Sequence, residues 1–265
     1  MDFVERNSPD RHVAPLSRRK FLGSVAVGGV WALAPGRLFA QGRDRQHEPL
    51  LDVPILAEDG SAVPIRVSVP HPMEPDHHIR SLEIVLPTDP VPYKGRFVFT
   101  PANGQAWVAF QMRSGIGGVV KAIAECTRHG RFEATRELRV VEGGCTTAPD
   151  RIIRERLGNP MLRLPRSIKA GEVVEVRTKV DHSSYTGLAL KNGRFVREIP
   201  EFYVKQMLVY VDDERVSEFQ MTSAVSPNPL IRFPLRAARS STLRVVFVNS
   251  EGQQWEVSRL FGQTG

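Results

Sequence analysis

Short runs of apolar–polar alternation, broken every few residues by proline, limit this chain more than any other pattern in it. Ile65, Val67 and Val69 alternate with Arg66 and Ser68, and Leu82, Ile84 and Leu86 alternate with Glu83 and Val85. A period of two puts one set of side chains on a single face, as a strand does. Arg96 to Thr100 and Ala106 to Met112 read as two further strands flanking Pro101-Ala102-Asn103-Gly104-Gln105, whose Asn-Gly predicts a tight turn. Val119 to Cys126 and Phe132 to Val141 form another pair across Thr127 to Arg131. Prolines at 64, 70, 72, 75, 87, 90 and 92 punctuate the interval, and no long helical period survives. Short strands at this spacing predict an all-β sandwich.

The pattern resumes after an interruption. Asp150 to Gly158 reads as a two-turn helix, with Asp150 as its cap, Gly158 at its end, and Ile153 and Leu157 on one face. Pro160 and Pro165 stop any continuation. Beyond Ser167, Val174, Val176, Thr178 and Val180 oppose Glu175, Arg177 and Lys179. Phe202 to Val211 with Arg215 to Met221, and Leu243 to Val248 with Gln254 to Leu260, read as hairpins. A chain of 265 residues has room for two domains. The expected fold is therefore all-β: two immunoglobulin-like β-sandwich domains, over 41–148 and 165–265, joined by a short helical linker over 149–164.

The first forty residues read as an address. Ser17-Arg18-Arg19-Lys20-Phe21-Leu22 is a twin-arginine signature ahead of a weakly apolar run from Phe21 to Ala34, interrupted by Gly23, Gly28 and Gly29. The run is short for a bilayer span and flanked like a signal peptide, so export by the twin-arginine route to the periplasm is expected. Cleavage after Ala40 leaves Gln41 first; a cut after Ala34 is opposed by Pro35. The alternative is an uncleaved membrane anchor, and no later segment is apolar enough to cross a membrane. The net charge of +7 includes six basic and three acidic residues of this leader, a surplus of three, which leaves +4 without it. The remaining basic residues are dispersed, so no nucleic-acid partner is expected.

Val140-Val141-Glu142-Gly143-Gly144-Cys145-Thr146-Thr147-Ala148-Pro149 carries the candidate chemistry. A strand ends there, two glycines follow, and a thiol sits between them and two small hydroxyl residues. Free cysteine is often buried, but these neighbours suit an exposed thiol on a pliable arm. On that reading Gly143 and Gly144 serve mobility, and alanine at both is expected to leave the fold intact. Arg151 and Arg154 would lower the thiol's pKa and Glu142 would raise it.

The only other cysteine is Cys126, and an oxidising compartment invites a disulfide. Nine strand steps from Phe132 to Val141 carry the chain about 30 Å away. The four residues up to Cys145 recover about 14 Å of that, which leaves more than the roughly 7 Å a bridge tolerates. Cys126 is expected to be a strand-end filler and Cys145 a lone thiol. His71, Glu74, Asp76, His77 and His78 lie in a proline-rich loop at a spacing that matches no zinc or copper signature, so a solvated loop and no metal or cofactor are expected. A blue-copper arrangement needs a histidine just past Cys145, and the next is His182.

Ala57-Glu58-Asp59-Gly60 with Val63-Pro64-Ile65, followed by the proline-punctuated strands and Gly143-Gly144-Cys145, resembles SoxY, the sulfur-carrying subunit of bacterial thiosulfate oxidation. Ala170 to Arg177, Ile199-Pro200-Glu201-Phe202 and Val225-Ser226-Pro227-Asn228-Pro229 with Phe233 resemble SoxZ, its partner. Their order resembles the fused SoxYZ-like carriers named for association with quinoprotein dehydrogenases. In SoxY the arm reads Gly-Gly-Cys-Gly-Gly and ends the chain; here Thr146-Thr147 follow and the chain continues. The SoxZ-like His-Pro-Met-x-x-Gly loop reads His182-Ser183-Ser184-Tyr185-Thr186-Gly187.

The resemblance implies covalent carriage. Cys145 would hold a persulfide or thiosulfonate, with Gly143, Gly144 and Thr146 as its arm, while periplasmic sulfur-oxidation enzymes or a quinoprotein dehydrogenase act on it. No nucleophile–base set, phosphate loop or metal triad is legible, so the chain is expected not to be an enzyme. The rivals are a noncatalytic accessory binding protein of a quinoprotein dehydrogenase, and an enzyme pairing Cys145 with His182.

Overall fold

The computed structural model describes residues 45–144, 157–237 and 240–261. The leader at 1–40, Cys145, Thr146 and the predicted helix up to Arg156 lie outside them. The first half contributes β1 (Leu50–Asp52), β2 (Leu56–Asp59), β3 (Val63–Val69), β4 (Ile79–Val85), β5 (Tyr93–Val98), β6 (Ala106–Met112), β7 (Gly117–Cys126) and β8 (Gly130–Glu142). The second contributes β9 (Gly158–Arg163), β10 (Val173–Asp181), β11 (Leu188–Lys191), β12 (Arg194–Arg197), β13 (Val204–Val211), β14 (Glu214–Met221), β15 (Leu230–Arg236), β16 (Ser241–Asn249) and β17 (Gln254–Phe261). Among the described residues no helix is long and apolar enough to cross a membrane.

Local alternation places the strands as expected. Val63, Ile65, Val67 and Val69 of β3 are buried, as are Val174, Val176, Thr178 and Val180 of β10. The pairings β7–β8, β13–β14 and β16–β17 are antiparallel hairpins, with Asp212 at φ 55° turning the second.

The larger assembly differs from two sandwiches on a helical tether. One sheet of nine strands runs β17-β16-β13-β14-β5-β4-β7-β8-β2, and one of six runs β1-β3-β6-β15-β10-β9. Both sheets therefore cross from one half of the chain to the other. β14 pairs antiparallel with β5 from Glu218↔Val98 to Met221↔Gly95, and β15 meets β6 at Arg232↔Ala109. One apolar core runs beneath the seam, where Phe97 packs 4.6 Å from Phe99, 5.7 Å from Phe219 and 5.6 Å from Phe233 between ring centroids. Unpaired strand edges are reactive surfaces, and joining them to each other satisfies both halves.

Two local expectations are corrected with it. β5 and β6 lie in different sheets, so Pro101–Asn103 is a 3-10 turn between layers and not a hairpin loop. Buried Asn103 donates to the Ser217 hydroxyl and the Pro234 carbonyl, both 2.9 Å away, which pins that crossing to the second half. Within the expected linker, Gly158–Arg163 is strand β9, paired with β10 from Arg177↔Arg163 to Asp181↔Gly158. Pro160 is tolerated because β9 is an edge strand.

Candidate functional site

Gly143 and Gly144 emerge from β8 at the seam and are docked there by backbone groups. β2 runs parallel to the end of β8, with Asp59 opposite Glu142. The Asp59 carboxylate accepts from the Ser61 amide and hydroxyl, each at 2.7 Å, and those bonds hold its pKa below the ordinary carboxylate value. The turn so formed aims Gly60 at its neighbours. The Gly60 amide donates to the Glu142 carbonyl at 2.7 Å, the Ser114 amide to Gly60 at 2.7 Å, and the Gly144 amide to Ser114 at 2.8 Å.

No side chain fits between these strands. A Cβ on Gly143 would lie 2.5 Å from the Gly115 oxygen, one on Gly144 would lie 2.2 Å from the Ser61 nitrogen, and one on Gly60 would lie 2.3 Å from the Ser114 oxygen. The two arm glycines are thus needed for close backbone approach. The expectation of a pliable arm from Gly143 onward is corrected: its first two residues are clamped.

A buried ion pair holds the clamp. Lys94 and Asp89, both with fully buried side chains, meet at 2.6 Å between Nζ and Oδ2. Lys94 also donates to the Val91 and Arg113 carbonyls at 3.0 and 2.9 Å. The other Asp89 oxygen accepts from the Ser114 hydroxyl and the Gly115 and Ile116 amides at 3.1, 2.9 and 3.0 Å. Each charge is compensated by several donors or acceptors, as a buried pair requires. Asp89 thereby shapes the 114–116 turn on which Gly143 and Gly144 rest.

The second half closes over the same place. The Arg113 amide donates to Ala224 at 2.6 Å, and the Ser226 hydroxyl donates to the Ser61 carbonyl at 2.7 Å. Ser184, in the loop that resembles the SoxZ motif, donates to Val225 at 2.7 Å. The root of the thiol segment is therefore built by both halves of the chain, a dependence that neither half's sequence displays.

His182 is part of that framework rather than a free base. It is buried and stacked on Phe202, with centroids 4.5 Å apart. Nδ1 bonds the Ser183 carbonyl, and Nε2 faces the Asn249 amide nitrogen at 3.2 Å. A neutral Nδ1–H ring satisfies both contacts, and burial pushes its pKa below the ordinary 6.5. Both nitrogens are engaged, which leaves none to activate a thiol.

The histidine-rich loop is not simply solvated. His71 is buried, and with His77 it meets Cys126, His47 and His129 at the opposite end of β8. Nε2 of His71 lies 3.1 Å from Nε2 of His77, which lies 3.1 Å from Nδ1 of His129, which lies 3.0 Å from Nε2 of His47. The Cys126 sulfur is 3.7 Å from Nδ1 of His129. Cys126 is thus more than a strand-end filler. Glu74, Asp76 and His78, grouped with these histidines by sequence, stay outside the group. The missed signal is Cys126-Thr127-Arg128-His129, two ligand-type residues across a tight turn; nothing in the sequence singles out His47.

Two β halves share both sheets, and the clamped Gly143-Gly144 pair lies where they meet, which defines a bipartite β protein. Residues 37–145 match the family described as Sulfur oxidation protein SoxY, and residues 162–259 match Sulphur oxidation protein SoxZ. The chain belongs to the SoxYZ family, with both subunits fused in tandem, and its broad role is that of a carrier in sulfur oxidation. No curated protein matches it. Among solved structures it is similar to the superoxide reductase (neelaredoxin) from Ignicoccus hospitalis, at 33% identity and TM-score 0.35 over 40% of this chain and 92% of that one. A putative superoxide reductase from Thermotoga maritima is 26% identical, with TM-score 0.32, over 36% of this chain and 86% of that one.

Proposed function

We propose that Cys145 is the covalent attachment point for sulfur intermediates, presented from the clamped root to separate oxidising enzymes in the periplasm after twin-arginine export. The observation that carries the reading is the position of Gly143-Gly144, held immediately before the thiol by first-half backbone that the second half braces at Ser61 and Arg113. A clamped root fixes where the thiol is presented, so the partner meets it at a constant place.

Joining a Cys145 thiolate to the outer sulfur of thiosulfate forms one S–S bond and releases two electrons, which pass to the partner enzyme. An unperturbed thiol with a pKa of about 8.5 is a few per cent thiolate at neutral pH, enough when the partner drives the oxidation. Sulfur-oxidation enzymes are the partners the family implies.

Mass measurement of intact protein from periplasmic extract tests this. Reducible adducts of sulfur, or of sulfur with oxygens, are expected on Cys145 and absent from Cys145→Ser. An unmodified thiol that resists alkylation until the protein is denatured would overturn the carrier reading. A Cys145 thiol unmodified yet freely alkylated in folded protein, copurifying with a quinoprotein dehydrogenase, would favour the accessory role instead.

A further inference from the structure

We propose that His47, His71, His77, His129 and Cys126 bind one divalent first-row transition-metal ion through four imidazole nitrogens and a thiolate. The site is independent of the Cys145 reading, because the whole length of β8, about 40 Å for Gly130–Glu142, lies between them.

Distances between the donors point to a metal. With metal–nitrogen bonds of about 2.1 Å, neighbouring donors sit about 3.0 Å apart at right angles and about 3.4 Å apart at tetrahedral angles. The three nitrogen–nitrogen distances are 3.1, 3.1 and 3.0 Å. The donor atoms of His47, His71, His77 and Cys126 all fall within 4.8 Å of one another. Right-angled edges and five donors suit a five- or six-coordinate ion. Four imidazoles with one thiolate exclude the hard, oxygen-seeking cations and exceed the four tetrahedral donors of structural zinc.

Hydrogen bonds among the rings do not account for the cluster. Each ring nitrogen offers one in-plane proton or one lone pair. Nε2 of His77 nevertheless faces two ring nitrogens, and Nδ1 of His129 faces two ring nitrogens and a sulfur. His71 has its Nδ1 at 2.5 Å from the Pro72 carbonyl, which fixes the proton there and turns the Nε2 lone pair toward the cluster. That is the outer-sphere bond that orients metal-bound histidines.

The surrounding structure ties the donor-bearing loops to one another. Reciprocal bonds of 3.2 Å between Glu74 and His77 close the turn that presents His77. Thr127 and His78 exchange bonds of 3.0 and 3.1 Å, and Arg128 pairs with Asp76, so the two donor-bearing loops are tied together. Phe132 stacks on His47 with centroids 4.7 Å apart. Cys126 enters as the thiolate, its proton leaving to solvent when the ion binds.

The test uses the untagged mature chain carrying Cys145→Ser, stripped with chelator and titrated anaerobically with cobalt(II). Uptake of one cobalt per chain is expected, with a near-ultraviolet thiolate-to-metal band and the weak visible absorption of a five- or six-coordinate ion. Cys126→Ser should abolish the charge-transfer band. His129→Ala, at an exposed turn where folding is not at risk, should weaken binding at least tenfold, no less than loss of an outer-sphere partner does. No stoichiometric uptake, uptake unaffected by both variants, or the intense visible bands of tetrahedral cobalt would each overturn the assignment.

Discussion

Replacing Gly144 with alanine puts a methyl group 2.2 Å from the Ser61 nitrogen and 2.3 Å from the Gly60 carbonyl carbon, where only backbone is available to move. Accommodating it in place would strain two strands. The cheaper response is for the end of β8 to lift away, which breaks the Gly144–Ser114 bond and loosens the Gly60–Glu142 bond. At about 1 kcal/mol for each bond, the loss is about 1–2 kcal/mol, within the usual range for overpacking. For a chain of this size that corresponds to a fall of about 2–4 °C in Tm. Gly143→Ala, which meets the Gly115 oxygen at 2.5 Å, is relieved by the same movement. The double variant should therefore lose little more than either single one, and Cys145 should alkylate faster in all three. Urea titrations of the four proteins complete the cycle. Strict additivity, or single variants as stable as the parent, would refute a shared clamp.

Lys94→Met should cost about 3–5 kcal/mol in denaturant unfolding, because it leaves the Asp89 carboxylate buried without its partner; adding Asp89→Leu should recover only part, since the Gly115 and Ile116 amides lose their acceptor. Burial lowers the His182 pKa, so below pH 6.5 the unfolded chain takes up a proton that the folded one refuses, and stability falls with pH until the folded pKa is passed. Between pH 6.5 and 5, His182→Gln should therefore show a shallower acid loss than the parent, by up to about 1.4 kcal/mol per pH unit; parallel curves would count against it. Arg18→Lys with Arg19→Lys should leave the precursor in the cytoplasm, and normal periplasmic delivery in fractionated cells would show the export assignment to be wrong.

The hairpins were legible because period-two burial and turn chemistry are local properties. β7–β8, β13–β14 and β16–β17 each needed only neighbouring residues. The pairing of β5 with β14 was not legible, since strands more than a hundred residues apart carry no mark of each other. Asn103-Gly104 misled for a definite reason: Gly104, at φ 69°, ends a 3-10 turn between layers, and the same dipeptide would serve a hairpin equally well. The glycines before Cys145 look like freedom in the sequence, which shows what a residue permits and not what presses against it. The histidine cluster stayed hidden for a similar reason. Its five donors come from three separate stretches, at 47, 71–77 and 126–129, that only the folded β7–β8 end assembles.

The β7–β8 hairpin, whose returning strand leads into Gly143-Gly144, has a mechanical consequence. On the proposed carrier role, a partner that held Cys145 and withdrew in line with β8 would pull across ladder bonds that run perpendicular to the strand. β8 is tied to β7 through ten residue pairs from Gly117↔Arg139 to Cys126↔Gly130, and near its end to β2. Such a tug loads those bonds together in shear instead of opening them one after another from an end. Under that role, the ten-pair ladder would let the sheet keep its register through repeated loading.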